Sequence, residues 1–184
     1  MKNIYCVIDL EATCWERDDV NKQPHEIIEI GAVLLDENFN YIKEYSQFVK
    51  PQDNPILSEY CKDLTTITQK DVDNAPPIFE VIPQFAEWLA PYENVIFCSW
   101  GNFDKNQMQK ECDRYLLEFP FDEAFINIKE KYAEVLHRSK KTGLRKALRI
   151  LNISFEGTQH RGIDDAKMIS KVFKMIMDIN QHKT

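Results

Sequence analysis

Two carboxylates stand one residue apart at the end of an apolar segment near the start of the chain. Asp9 and Glu11 flank Leu10 and follow the apolar residues Val7 and Ile8. In a strand, alternate side chains point to the same face, so both carboxylates are expected on one side. Two neighbouring anions repel, and a bound cation relieves that repulsion. The same pattern is also typical of solvated surface strands, so by itself it indicates a metal site only weakly.

Three further polar residues stand at places where chemistry is expected. Asp104 comes shortly after a second apolar segment, 95–100, and either projects into the crevice of an α/β fold or caps the following helix. His160 precedes Asp165 by five residues in a loop that contains glycine. Its ring is expected to be exposed there and to carry protons near neutral pH. The neighbouring Asp164 is expected to cap the last helix.

Together these positions supply four carboxylates and one imidazole: Asp9, Glu11, Asp104, Asp165 and His160. A set of ligands this rich in oxygen suits Mg²⁺ or Mn²⁺ rather than zinc. Two such ions about 4 Å apart would stabilise the attacking and the departing oxygen in phosphodiester hydrolysis. His160 would accept the proton of the attacking water. The residues therefore predict a metal-dependent hydrolase of phosphodiesters.

Other hydrolase chemistries find less support in the sequence. The run from His25 to Glu29 is a near miss for H-E-x-x-H, and it lies on a predicted strand rather than a helix. We interpret His25 as a core histidine, His182 as a surface histidine, and Glu29 as a residue behind the site or an acid at the sheet edge. No Ser or Cys lies in an elbow motif such as G-x-S-x-G. The five cysteines are odd in number and include no C-x-x-C pair, which argues against zinc and against a disulfide framework.

The elements that must position these residues follow from the apolar pattern. Strands are predicted at 5–10, 27–35, 41–49 and 95–100. Helices are predicted at about 79–89, 103–117, 127–137, 143–151 and 164–179, with a short helical turn or two at 58–64. Three strands, a helix, a strand and then helices indicate an α/β fold in which helices pack on a mixed sheet.

Length and charge narrow the interpretation further. With 184 residues and 43% hydrophobic content, a single domain over residues 1–184 is expected. The net charge of −7 is unusual for a protein that binds polyanions, but the basic segment 129–149 carries +6. That segment is either a docking surface or a solvated helical face. The apolar run at the N-terminus is too short for a signal peptide or a membrane span, so we expect the mature protein to start here, in the cytoplasm.

The motifs resemble those of the DEDDh exonucleases. The order Asp-x-Glu, Asp and His-x4-Asp matches their three motifs over nearly the whole chain. Three segments are similar to the branch that contains the histone-mRNA and small-RNA 3′ exonucleases and the bacterial KapD-type proteins. They are DLEATCW at 9–15, HEIIEIGA at 25–32 and HRGIDDA at 160–166. The resemblance implies an RNase H-like α/β fold with a mixed five-stranded sheet flanked by helices. It also implies two divalent cations, Mg²⁺ or Mn²⁺, and release of nucleoside 5′-monophosphates from a 3′-hydroxyl end.

The same resemblance implies a role for each catalytic residue. Asp9, Glu11 and Asp165 would bind the first metal, and Asp9 would also bridge to the second. Asp104 would act largely through water. His160 would be the general base.

The resemblance also implies contacts to the terminal nucleotide, made by Glu11, Ala12, Leu64, Thr65 and Phe103. Backbone groups around the first two would hold the 3′-hydroxyl, and the next two would wedge against the last base. Phe103 either stacks near the scissile end or packs in the core. Thr66 stands where this loop commonly has glycine, so the backbone shape of the loop is a question for the structure.

Three functions are compatible with these residues. The chain is a 3′–5′ exonuclease acting on RNA, a DNA-trimming or proofreading exonuclease, or a non-catalytic RNA-binding module. Similarity to the RNA branch favours RNA, which such enzymes distinguish through the 2′-hydroxyl. A silent module would lack a metal ligand, and all five positions are present here. The expected partner is single-stranded or 3′-overhanging nucleic acid and not a membrane, while protein partners are unknown.

Overall fold

The computed structural model describes residues 2–20, 22–122, 124–139 and 141–182, so Lys140 of the basic segment lies outside it. Within these residues, the strands are β1 Ile4–Ala12, β2 Ile27–Leu35, β3 Tyr41–Phe48, β4 Val95–Ser99 and β5 Phe125–Asn127. The helices are α1 Glu59–Thr65, α2 Gln69–Asp73, α3 Ile78–Leu89, α4 Phe103–Tyr115, α5 Ile128–Val135, α6 Leu144–Ile150 and α7 Gly162–Gln181. None of these helices is both long and apolar enough to cross a membrane.

The strands form one mixed sheet in the order β3-β2-β1-β4-β5. β2 runs antiparallel to β1 and β3, whereas β4 runs parallel to β1 and β5. The mixed five-stranded sheet is therefore confirmed. In the β1–β4 ladder, Val7 pairs with Cys98, so β1 continues past the end of β4. Asp9 and Glu11 consequently lie at the level where the chain leaves β4 and enters α4.

Alternation along β1 divides its side chains between two layers of core. Cys6, Ile8 and Leu10 pack in the layer that contains α3 and α4. Val7 packs in the opposite layer, which contains α5, α6 and α7. Asp9 and Glu11 share the parity of Val7 and therefore face α7. The prediction that both carboxylates lie on one side of the strand is consistent with this register.

The predicted elements agree with the structure except where an element is very short. All nine residues of β2 are buried, because β2 lies between two other strands and both of its faces are covered. The three-residue strand β5 and the five-residue helix α2 were not recognised from the apolar pattern. Elements of that length contain fewer than two repeats of the strand or helix period, so no periodic pattern is recognisable in them.

Candidate active site

The five predicted catalytic residues line one open cleft with a volume of about 880 Å³. They come from β1, the start of α4, the loop before α7 and the first turn of α7, and they are Asp9, Glu11, Asp104, His160 and Asp165. The structure thus brings together side chains that lie more than 150 positions apart in the sequence.

A pair of glycines permits the close approach of α7 to the sheet. A Cβ atom built on Gly31 would lie 2.0 Å from the carbonyl carbon of Gly162. One built on Gly162 would lie 2.8 Å from the backbone oxygen of Asp9. Gly31 pairs with Asp9 in the β1–β2 ladder. The N-terminus of α7, which carries Asp165, therefore rests directly on the backbone beside Asp9.

Glu29 of β2 also holds the start of α7, through hydrogen bonds. Its side chain is completely buried, and it accepts hydrogen bonds from the Arg161 side chain at 3.1 Å and from the Gly162 amide at 3.0 Å. β2 is an inner strand, so the suggestion that Glu29 is an acid at the sheet edge is wrong. Glu29 instead holds the loop that presents His160.

Asp104 ties the start of α4 to β1. Its Oδ1 accepts a hydrogen bond of 3.0 Å from the Leu10 amide, and the residue is only 6% exposed. The helix begins after Asn102, so the alternative that Asp104 is its N-cap is wrong. Burial raises the pKa of Asp104 to about 6, although the bond from Leu10 opposes that shift.

A hydrogen bond joins the backbone of His160 to the side chain of Asp165. The His160 amide donates a 2.7 Å hydrogen bond to Oδ2 of Asp165, while the imidazole ring is exposed as expected. His160 adopts a left-handed backbone with φ of 58°, a strained conformation for a residue with a Cβ. Asp164 is not the helix cap that was expected, because it lies inside the first turn and accepts from the Thr158 amide at 2.8 Å.

The gathered carboxylates destabilise one another's charged form. Burial, followed by the charges of Asp104, Glu11 and Asp165, raises the pKa of Asp9 well above its usual range. Burial and the charge of Asp165 raise the pKa of Glu11 to about 8, and burial also raises the pKa of Asp165. Within the described parts of the chain, no Lys or Arg forms an ion pair with these four residues.

The donor set fits a hard cation. One ligand atom from each of Glu11, His160 and Asp165 lies within 4.8 Å of the other two. Asp9 and Asp104 line the same cleft and add two more carboxylates. A divalent cation would supply the positive charge that the side chains themselves do not provide.

The aromatic residues near the cleft were only partly predicted. Phe103 is 49% exposed and lines the cleft, so the alternative that it packs in the core is wrong. His25 is exposed rather than a core histidine, and its ring contacts Phe103 edge-on with centroids 6.1 Å apart. Trp100 and Phe155 also line the cleft and were missed as site residues. Neither carries a sequence signal that separates a cleft aromatic from a core aromatic.

The predicted nucleotide-contacting loop lies outside the lining of this cleft. Leu64 is partly exposed, whereas Thr65 is completely buried and its hydroxyl bonds the backbone of Cys61 and Ile67. Ala12 is 8% exposed and likewise is not part of the lining. Thr66 ends α1 with φ of 62°, the left-handed conformation that glycine adopts most easily. Glycine at this position could therefore adopt the same backbone conformation without strain.

A mixed five-stranded sheet, with four carboxylates and a histidine gathered where β1, α4 and α7 meet, defines an RNase H-like nuclease. Residues 6–173 match the family model described as Exonuclease, and the chain belongs to this exonuclease family. The recognised resemblance to DEDDh exonucleases is thus confirmed.

Relatives and solved structures agree with this assignment. The chain is 34% identical to human (Homo sapiens) ERI1 exoribonuclease 2, over 94% of the chain and 28% of that protein. It is 32% identical to the 3′-5′ exonuclease Snipper of Drosophila melanogaster, over 93% of the chain and 68% of that protein. The nuclease domain of 3′hExo, a DEDDh family member bound to rAMP, superposes with a TM-score of 0.88 at 29% identity, covering 96% of this chain and 92% of that one. The chain spans about a third of the length of the ERI1 exoribonuclease 2 proteins it matches.

Proposed function

We propose that this protein is a 3′–5′ exonuclease that removes nucleotides from the 3′-hydroxyl end of RNA and releases nucleoside 5′-monophosphates. The observation that carries the proposal is the convergence of Asp9, Glu11, Asp104, His160 and Asp165 on one open cleft. Family membership and similarity to proteins named exoribonucleases support both the reaction and RNA as the substrate. A single exonuclease domain over residues 1–184 is part of the proposal, as is a cytoplasmic location, which the free cysteines support.

Two divalent cations, Mg²⁺ or Mn²⁺, are proposed as cofactors. Asp9, Glu11 and Asp165 would hold the first ion, Asp9 would bridge to the second, and Asp104 would contribute through water. When bound, such ions stabilise the negative charge that develops on the attacking and departing oxygens. The raised pKa values of Asp9 and Glu11 support this role, because burial and the neighbouring carboxylates disfavour the charged forms that a bound cation would favour.

His160 is the proposed general base. Its exposed ring faces the cleft beside Glu11 and Asp165, where it would accept the proton of the attacking water. Its backbone is fixed by the bond to Asp165, and the next residue, Arg161, is fixed by Glu29. These bonds fix the backbone that carries the ring, and neither of them involves a ring nitrogen.

The terminal nucleotide is proposed to lie against Phe103. This exposed ring beside Asp104 offers a flat surface to the last base. Backbone groups at Glu11 and Ala12 would bind the 3′-hydroxyl, and Leu64 would wedge against the base. Because Thr65 is buried, its part in the proposal is to hold the shape of this loop.

The proposal is tested by digesting matched RNA and DNA oligomers that end in a 3′-hydroxyl or a 3′-phosphate, with Mg²⁺, Mn²⁺ or EDTA. We expect 5′-monophosphates from the 3′-hydroxyl RNA, no product in EDTA, and protection by the 3′-phosphate. Cutting of a circular RNA would indicate an endonuclease instead. Faster digestion of DNA than of RNA would favour a DNA-trimming enzyme.

Adjacent carboxylates provide a matched pair of variants. Asp165→Asn changes a residue that lines the cleft, whereas Asp164→Asn changes its neighbour, which does not line it. We expect the first to abolish hydrolysis, as Asp9→Ala and His160→Ala should, while all of them fold. The second should keep activity and lose at most about 1 kcal/mol of stability, because asparagine keeps an oxygen that can accept from the Thr158 amide and only the charge near the start of α7 is lost. Near-normal turnover by Asp9→Ala would refute the assignment.

A further inference from the structure

The cleft that holds the carboxylates has a second wall of opposite charge. Arg145, Lys146 and Arg149 of α6 line the same cleft as Asp9 and Glu11. All three cations are exposed, and α6 contains no acidic residue. The helix therefore presents positive charge to the space in front of the catalytic carboxylates.

These three cations form no ion pair with the part of the chain that the structure describes. Elsewhere in the described structure, Arg161 pairs with Glu29 and Lys167 with Glu44. No ion pair of Arg145, Lys146 or Arg149 occurs within residues 2–20, 22–122, 124–139 and 141–182. In a chain with a net charge of −7, a group of unpaired cations beside an acidic centre indicates a site for an anion.

The spacing on α6 suits a repeating anion rather than a single one. Arg145 and Arg149 are four residues apart, which places them on one face and separates them by about 6 Å along the helix axis. Trp100 and Phe155 share the lining of the cleft and are partly exposed. A row of cations flanked by aromatic rings is the arrangement by which proteins bind single-stranded nucleic acid.

We propose that α6 binds the backbone phosphates of the nucleotides on the 5′ side of the scissile bond, in a single-stranded RNA 3′ end. The unpaired bases of that segment would stack on Trp100 and Phe155. The inference rests on the proposed exonuclease function and adds to it the path of the substrate strand. It accounts for a polyanion binding to an acidic protein, because the strand meets a local positive surface before it reaches the carboxylates.

The test compares Arg145→Gln/Arg149→Gln with a control that loses the same charge, Lys2→Gln/Lys174→Gln. Lys2 pairs with Glu37 and Lys174 bonds Asn40, so both control residues lie by the β2–β3 turn, at the far end of the sheet. Two substrates are used. One is a ten-nucleotide single-stranded RNA, and the other is the p-nitrophenyl ester of a nucleoside 5′-monophosphate, which has a single phosphodiester and no upstream phosphates.

The α6 variant should hydrolyse the ester within twofold of wild type while its KM for the RNA rises about tenfold. The slope of log KM against log salt should fall by about 1.4, because two phosphate contacts to a single strand are lost. The control should behave as wild type with both substrates. Arg145→Lys/Arg149→Lys, which keeps the charge, should restore most of the RNA affinity and shows that loss of charge, not misfolding, is measured.

An unchanged RNA KM in the α6 variant would overturn the inference, as would equal losses with RNA and ester or an equal loss in the control. If wild type hydrolyses neither substrate, the proposed function fails while the inference is still tested. Fluorescence anisotropy of the same RNA in EDTA then compares its binding to wild type and to the α6 variant, and this comparison tests the inference. Binding that is about tenfold weaker in the α6 variant supports the track along α6, and equal binding refutes it.

Discussion

The contact between Gly31 and the start of α7 makes a sharp prediction for the variant Gly31→Ala. The added Cβ would lie 2.0 Å from the carbonyl carbon of Gly162 and 2.1 Å from the amide nitrogen of Ile163. Both are backbone atoms, so no side-chain rotation relieves the clash. Ordinary van der Waals contact begins at 3.4 Å, so α7 must move from β2 by about 1.4 Å.

That displacement has separate consequences for stability and for catalysis. Overpacking of this kind costs about 1–3 kcal/mol, which in a chain of this size lowers the melting temperature by roughly 2–12 °C. The moving helix carries Asp165 and follows His160, and a misplacement of 1 Å costs about 100-fold in rate. We therefore expect kcat/KM for a 3′-hydroxyl RNA to fall at least 100-fold in protein that is still folded.

The assay measures kcat/KM and the melting temperature for three glycine variants. Gly162→Ala brings a Cβ within 2.8 Å of the Asp9 backbone oxygen and should show a smaller loss than Gly31→Ala. Gly143→Ala meets no atom within 4 Å and should stay close to wild type in stability. Wild-type activity in Gly31→Ala, or a larger loss in Gly143→Ala than in Gly31→Ala, would refute the proposed role of the glycine contact.

Three further predictions follow from backbone strain and from charge. Thr66→Gly relieves a left-handed threonine and should raise the melting temperature by about 2–4 °C, a net gain of about 1 kcal/mol; an unchanged melting temperature would contradict this. His160→Gly should melt above His160→Ala, since φ there is 58°, although both are inactive; the reverse order would argue against strain at this residue. Burial raises the pKa of Glu11 from 4.5 to about 8, so the folded protein binds more protons than the unfolded chain between these values. In EDTA, stability should therefore fall as pH rises through this window, and Glu11→Gln should remove on the order of 2 kcal/mol of that loss; a flat profile for wild type in thermal melts would refute it.

Much of the fold is readable from the chain because its long elements repeat a local pattern. The run of β2, which is apolar except for Glu29, indicates a strand covered on both faces, and it lies in the interior of the sheet. The amphipathic pattern at 164–179 locates α7, although the helix extends to Gly162–Gln181. Helix ends are harder to place, as at Asp164, because capping depends on bonds to residues outside the helix.

The site was predictable as a set of chemical groups and less so as an arrangement. Asp9 and Glu11 could be placed on one face from the sequence, because side chains two residues apart in a strand point to the same side. The sequence suggested that Glu29 lies behind the site, but it did not give its partner, because Arg161 lies 132 positions away and no local pattern links the two. Nor does the sequence say which part of the basic segment 129–149 faces the cleft.

The sequence by itself determined which groups are available for the proposed chemistry: four carboxylates and a histidine, with the first two side by side. Only the tertiary structure decided that Asp165 meets them, because that meeting depends on two glycines that let backbones touch. It also decided the electrostatics, since the pKa of Asp9 rises only when folding removes water and brings Asp104 near. Chemical type is a property of each residue, whereas distance and desolvation are properties of the packed chain.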